Sequence, residues 1–137
     1  MNRPVPAVIA NWEGGMRFRG GVPGGPATLI DADGKEAPGP MMNLLLALAG
    51  CMGADVVSLM PKMQVELREY SMELSGDRAP EHPRRWTAVR ITFRLGGVGL
   101  DEIKARRAID LSIQRYCSVL HSLQPDIKLD YELILVD

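Results

Sequence analysis

An apolar segment of the chain, residues 41–60, constrains its fold more than any other feature. Pro40 precedes this segment and suits the first position of a helix, whereas Pro61 follows it and disfavours the helical conformation in the residue before it. We therefore predict a helix from Pro40 to about Leu59. Because this helix is apolar on nearly every face, we expect it to be buried on all sides. A sheet covers only one face, so we expect a second helix and a second subunit to cover the others.

The composition excludes several classes of protein. The chain has 16 Lys+Arg and 17 Asp+Glu, so it lacks the basic surface that nucleic-acid binding requires. The apolar segment is long enough to cross a membrane, but it contains Asn43, Asp55, Ser58 and two glycines, and we predict no membrane span. The first residues lack the charged-then-apolar order of a signal peptide. We therefore expect one cytoplasmic domain over residues 1–137.

Alternation of apolar and polar residues predicts the strands. From residue 63 to residue 74 the alternation changes phase near Arg68 and Glu69, which indicates a long strand with a bulge. The other predicted strands are residues 5–12, 16–20, 27–31, 87–95 and 127–136.

A second helix is predicted after Asp101, whose side chain suits the N-cap position. Apolar and small residues recur along it at helical spacing as far as Tyr116 and Cys117, so we expect Cys117 to face inward. Together the elements predict an α+β fold in which a mostly antiparallel sheet wraps around the long buried helix. The second helix packs beside it.

Cys51 and Cys117 are the only two cysteines, and they stand 66 positions apart. They are either two buried structural thiols or one redox pair. In a reducing cytoplasm, a disulfide between them would be catalytic rather than structural. His121 follows Cys117 by four residues, but with His82 as the only other histidine we expect no metal site and no bound cofactor.

Four stretches of sequence resemble the OsmC/Ohr family, the osmotically induced and organic-hydroperoxide-resistance proteins. The main ones are residues 39–57, which read GPMMNLLLALAGCMGADVV, and residues 116–119, which read YCSV. Residues 12–19 and 82–85 add support, and the likeness extends over about residues 8–135. The resemblance implies an intertwined homodimer in which sheets built by both chains surround two central helices.

The resemblance also implies a chemistry, the thiol-dependent reduction of organic hydroperoxides in a stress response. Cys51 would attack the peroxide and become a sulfenic acid, and Cys117 would condense with it to form a disulfide. Arg17 best matches the arginine that activates the thiolate and orients the peroxide, with Arg19 as the alternative. An external dithiol would then reduce the disulfide, and no bound cofactor is implied.

The sequence departs from the family pattern at the position ten residues before Cys51. The family's peroxidases have a glutamate there that pairs with the arginine, whereas this chain has Met41. Glu13 or Glu36 could replace that partner. Asp55, one helical turn after Cys51, would by itself disfavour a thiolate. The alternative function is therefore a non-enzymatic dimer of the same fold that binds a small molecule or senses redox state.

Overall fold

The computed structural model describes residues 3–137, which form two compact units, residues 3–46 and residues 47–137. The first unit contains an antiparallel sheet of three short strands, β1 (Ile9–Trp12), β2 (Arg17–Gly21) and β3 (Thr28–Asp31), with β2 in the middle. The strand predicted over residues 5–12 begins only at Ile9. Pro6 lacks the N–H group that a paired strand donates, which explains the late start.

The long helix α1 (Pro40–Leu59) has the predicted bounds. Leu48, Met52 and Val56 are fully buried and follow one another at helical spacing, so they form one face of the helix. Within a single chain the opposite face is exposed. Its large apolar residues Met42, Leu46 and Val57 are 52%, 57% and 51% exposed.

The segment Pro40–Met63 is the one helical stretch among residues 3–137 that is long and apolar enough to cross a membrane. Length and composition alone are weak evidence for a span, because a core helix of a soluble protein meets the same criteria. The 18-residue window that qualifies is 28% buried within the chain.

The second unit is built on a three-stranded sheet in the order β4 (Glu66–Arg78), β5 (Trp86–Val98) and β6 (Lys128–Val136). β4 is antiparallel to β5, whereas β6 is parallel to it. The predicted bulge is confirmed, because the register of β4 against β5 shifts between Leu67 and Glu69. β5 buries its alternate residues Val89, Ile91 and Phe93 almost completely, as its pattern predicts.

The second helix, α2 (Glu102–Leu111), begins at the predicted cap, where the Asp101 side chain accepts a hydrogen bond from Lys104 N at 2.8 Å. A π-helical turn, Ser112–Tyr116, follows it. The wider turn changes which side chains face inward. Cys117 is fully buried as predicted, but Tyr116, expected on the same inward stripe, is 46% exposed.

Taken together, the two helices and two three-stranded sheets form an α+β fold with mostly antiparallel pairing, as predicted. The parallel pair requires a crossover, and the chain between β5 and β6 supplies it through α2 and the π-helical turn. Cys117 thus lies in the connection that returns the chain to the sheet.

Candidate functional site

Cys51 and Cys117, distant in sequence, are brought together in the second unit. Their Sγ atoms and a carboxylate oxygen of Asp55 lie within 4.8 Å of one another. Cys51 is half-buried, Cys117 is fully buried, and both thiols are free. A disulfide bond is about 2.05 Å long, so the two sulfurs need to approach each other by less than 3 Å to form one. The two free thiols are therefore separated by only a short movement from bonding distance.

The position of Cys51 follows from the rotation of α1. The buried face that contains Leu48, Met52 and Val56 fixes this rotation, and it leaves Cys51 and Asp55 together at one edge of that face. The two residues are four positions apart, which places their side chains one above the other on a helix.

The π-helical turn sets the position of Cys117. The Cys117 N–H donates to the carbonyl oxygen of Ser112 at 2.9 Å, a bond that spans five residues instead of the four of an α-helix. Because of that bond, Ser112 and Cys117 lie on the same side of the turn and both are fully buried. π-helical turns inside helices often occur at functional sites.

Asp55 is the residue of this cluster that the sequence analysis did not assign to the site. The Ser112 hydroxyl donates to its Oδ2 atom at 2.8 Å, which fixes the carboxylate beside the two sulfurs. A signal was present in the sequence, namely a carboxylate one helical turn after Cys51 in an apolar helix. Its partner could not be found, since Ser112 is 57 positions away and the π-helical turn changes the spacing.

The Cys117 thiol is held in its neutral form. Burial raises its pKa to about 11, and the Leu120 N–H, which donates to the sulfur at 3.4 Å, opposes that rise. The neighbouring Cys51 and the Asp55 charge raise the pKa further. A neutral thiol is a poor nucleophile. Cys117 is thus unsuited to attack a peroxide first, whereas Cys51 is the more exposed of the two.

The Tyr70 hydroxyl is buried and has no hydrogen-bond partner within the described part of the chain. Burial, together with the charge of Asp55, raises its pKa well above the usual range of a tyrosine. The hydroxyl lies beside α1 at Gly53, where an added Cβ atom would be 3.9 Å from it. An unpaired buried hydroxyl costs free energy, about 1–3 kcal/mol.

In the first unit, Arg17 has an acidic partner. Its Nε atom lies 3.5 Å from Glu36 Oε2, and its Nη2 atom donates to the Glu13 carbonyl oxygen at 3.0 Å. Glu36 is thus the acidic partner of Arg17, and whether it replaces the glutamate of the family's peroxidases stays a prediction. Arg19 pairs instead with the Glu13 carboxylate at 2.9 Å.

Asp31 organises the loop that holds Glu36. Its carboxylate is buried and accepts hydrogen bonds from the N–H groups of Glu36, Asp33 and Lys35 at 3.0–3.2 Å. The Glu36 N–H contributes most to holding the pKa of Asp31 below its usual value, and Arg17 adds a smaller effect. Whether Arg17 or Arg19 acts on Cys51 stays a prediction. His121 is exposed, and its Nε2 atom hydrogen-bonds with the Ile113 carbonyl oxygen.

The comparisons with known proteins agree on one family. A family model described as OsmC-like protein matches residues 32–132. The protein YhfA of Escherichia coli (strain K12) is 33% identical over 126 residues, which cover 90% of this chain and 94% of YhfA.

Two solved structures illustrate the likeness in fold. The OsmC-like protein of Mycoplasma pneumoniae has a TM-score of 0.82 and 18% identity, with all of both chains covered. The organic hydroperoxide resistance protein OhrB of Bacillus subtilis has a TM-score of 0.58 and 18% identity, covering 94% of this chain and 96% of its own. At these identities the similarity concerns the fold alone.

The difference between the two thiols can be measured by alkylation of the reduced native protein. At pH 8, iodoacetamide should add one group per chain, at Cys51, because only about one Cys117 in a thousand is then a thiolate. Alkylation of Cys117 should accelerate about tenfold per pH unit until the pH approaches 11. Peptide mass spectrometry reads both rates, and the urea-unfolded protein, in which both cysteines should react, is the control. Equal rates for the two native thiols would contradict this assignment.

Proposed function

The chain belongs to the family of OsmC-like proteins, and we propose that it reduces organic hydroperoxides with its two cysteines. The observation that carries this proposal is the approach of the Cys51 and Cys117 sulfurs to within 4.8 Å. Two free thiols so close together, one half-buried and one enclosed, have the arrangement that a peroxide-reacting and a resolving cysteine require.

The proposed reaction has three steps. The Cys51 thiolate attacks the terminal oxygen of the hydroperoxide, the O–O bond breaks, and an alcohol leaves after it gains a proton. Cys51 is then a sulfenic acid, which condenses with the Cys117 thiol to form a disulfide and water. An external dithiol reduces the disulfide by exchange and is itself oxidised, which returns both cysteines to the thiol form.

The first step needs a positive charge near Cys51. A thiol in solution has a pKa of about 8.5, so a cation beside a cysteine favours the thiolate that attacks a peroxide at neutral pH. We assign the compensating charge to Arg17, which would also orient the peroxide oxygen. Its ion pair with Glu36 resembles the arginine–glutamate pair that the family's peroxidases have.

A protein of the same fold supports the proposed reduction of organic hydroperoxides. OhrB of Bacillus subtilis, which shares the fold, is described as an organic hydroperoxide resistance protein.

We propose that the working form is a cytoplasmic homodimer. The exposed apolar residues Met42, Leu46 and Val57 occupy one face of α1, and exposed large apolar residues at helical spacing are typical of a subunit interface. A second copy covering that face would complete the burial that the sequence of α1 predicts.

Peroxide oxidation of the reduced protein tests the proposed reaction. One equivalent of cumene hydroperoxide should lower the intact mass by two hydrogen atoms per chain, as a Cys51–Cys117 disulfide requires. Cys51→Ser should abolish peroxide consumption. Without added dithiol, Cys117→Ser should consume one equivalent and stop at a sulfenic acid.

The alternative function as a redox sensor gives a different result. Wild-type protein that forms the disulfide once but does not turn over with a dithiol is a redox sensor. A Cys51→Ser variant as active as the wild type would refute the mechanism.

Substitution of the two candidate arginines tests the activating charge. Arg17→Gln should slow the oxidation of Cys51 by about 10²-fold, because a preorganised charged donor is lost. Arg17→Lys should recover part of the rate. Arg19→Gln is the matched control and should have little effect. Stopped-flow measurement with a thiol-specific readout gives each rate, and a large effect of Arg19→Gln alone would transfer the role to Arg19.

The dimer can be tested at Val57. Val57→Glu would bury a charge at the proposed interface, so it should weaken association by about 3 kcal/mol or more, over 100-fold in the dissociation constant. Ile103→Glu is the control, since Ile103 is 80% exposed on α2, away from α1 in sequence. Light scattering after gel filtration gives the masses. A monomeric wild type would contradict the proposal.

A further inference from the structure

Cys51, Asp55 and Cys117 form a cluster whose atoms suit a second kind of chemistry. Among residues 3–137 it is the one group of three thiol, imidazole or carboxylate side chains with ligand atoms close enough to share a metal ion. The site is empty. We propose that, in the reduced protein, these three residues bind a thiophilic divalent cation of the Zn²⁺ type.

The distances are suitable for Zn²⁺. Ligand atoms around a tetrahedral zinc ion are about 3.5–3.8 Å apart, given Zn–S bonds of about 2.3 Å and Zn–O bonds of about 2.0–2.2 Å. The two sulfurs and the carboxylate oxygen already lie within 4.8 Å of one another, so each pair has to approach by about 1.3 Å at most. Changes in side-chain torsion angles suffice for such a movement.

The kind of ligand selects the metal. Two thiolates and one carboxylate are soft to intermediate donors, which favour Zn²⁺ and related ions over Mg²⁺ or Ca²⁺. Their three negative charges leave the complex with one negative charge. Binding displaces the two thiol protons to solvent, and no oxidation occurs.

The Ser112 hydroxyl beside the cluster is placed as the outer partner of a metal ligand would be. The hydrogen bond from Ser112 to Asp55 holds one ligand in place, as outer partners of metal ligands commonly do. Three protein ligands leave one position of a tetrahedral ion for water.

Metal binding and disulfide formation exclude each other, because both use the two sulfurs. A bound ion would protect the thiols from oxidation, and the disulfide would release the ion. This inference depends on the geometry of the cluster and does not require peroxidase activity.

Cobalt(II) is the probe that tests the proposal, because Co²⁺ bound to thiolates has an intense charge-transfer absorption in the near ultraviolet. Titration of the reduced wild type should produce that band with one Co²⁺ per chain, and Zn²⁺ should abolish it by displacement. Cys51→Ser and Cys117→Ser should each remove most of the band. Asp55→Asn should weaken binding at least tenfold, whereas Asp33→Asn, a change at an exposed aspartate outside the cluster, should have no effect.

Circular dichroism of each variant shows whether it is folded, and oxidation with diamide supplies a further control. Diamide joins dithiols without a hydroperoxide, so this arm is independent of the proposed enzyme activity, and the oxidised protein should no longer bind Co²⁺. The proposal is refuted if the reduced wild type gives no thiolate band. It is equally refuted if folded Asp55→Asn or the single cysteine variants bind Co²⁺ as tightly as the wild type.

Discussion

Burial of one face of α1 is the constraint on which the rest of the site depends. Leu48, Met52 and Val56 are completely removed from solvent, and each such side chain contributes about 1.5–3 kcal/mol of transfer free energy. A rotation of the helix by one residue would expose this face. The same energy therefore fixes the direction of Cys51 and Asp55, which lie at one edge of the buried face. The placement of Cys51 and Asp55 at one edge of α1 is in this way a consequence of core packing.

Two features of the site keep Cys117 neutral, and a cation would oppose both. A carboxylate beside two thiols disfavours thiolates, and burial holds Cys117 neutral. A cation reverses the balance, because positive charge stabilises thiolates and offsets the Asp55 charge. An arginine and a metal ion are two ways to supply it, with opposite results: the first leaves a thiolate free to react, whereas the second occupies it. Which cation is present would decide whether the dithiol is reactive or protected.

Local patterns in the sequence predicted much of the fold. The bounds of α1 follow from Pro40 and Pro61, the cap from Asp101, and the bulge in β4 from the change of phase at Arg68. The first strand was predicted to begin at residue 5 but begins at Ile9. The alternation of apolar and polar residues takes no account of Pro6, which has no N–H group to donate to a neighbouring strand.

The candidate site was predictable only in part. The resemblance to a family indicated Cys51 and Cys117, and their proximity in the fold agrees with it. The pairing of Asp55 with Ser112 depends on residues distant in sequence, and so does the choice of Glu36 rather than Glu13 as the partner of Arg17. Such choices depend on how the elements pack, which the residue pattern of a single sequence does not reveal.

The π-helical turn has a consequence for how related chains diverge. In an α-helix the residue that shares a side with Ser112 is four positions on, and here it is five. The turn thus accommodates one additional residue and directs Tyr116 outward, while the cysteine keeps its place. A relative with one residue fewer at this point could present its cysteine from a regular helix in the same position. Counting residues along the chain is therefore a poor guide to whether a relative retains the thiol pair.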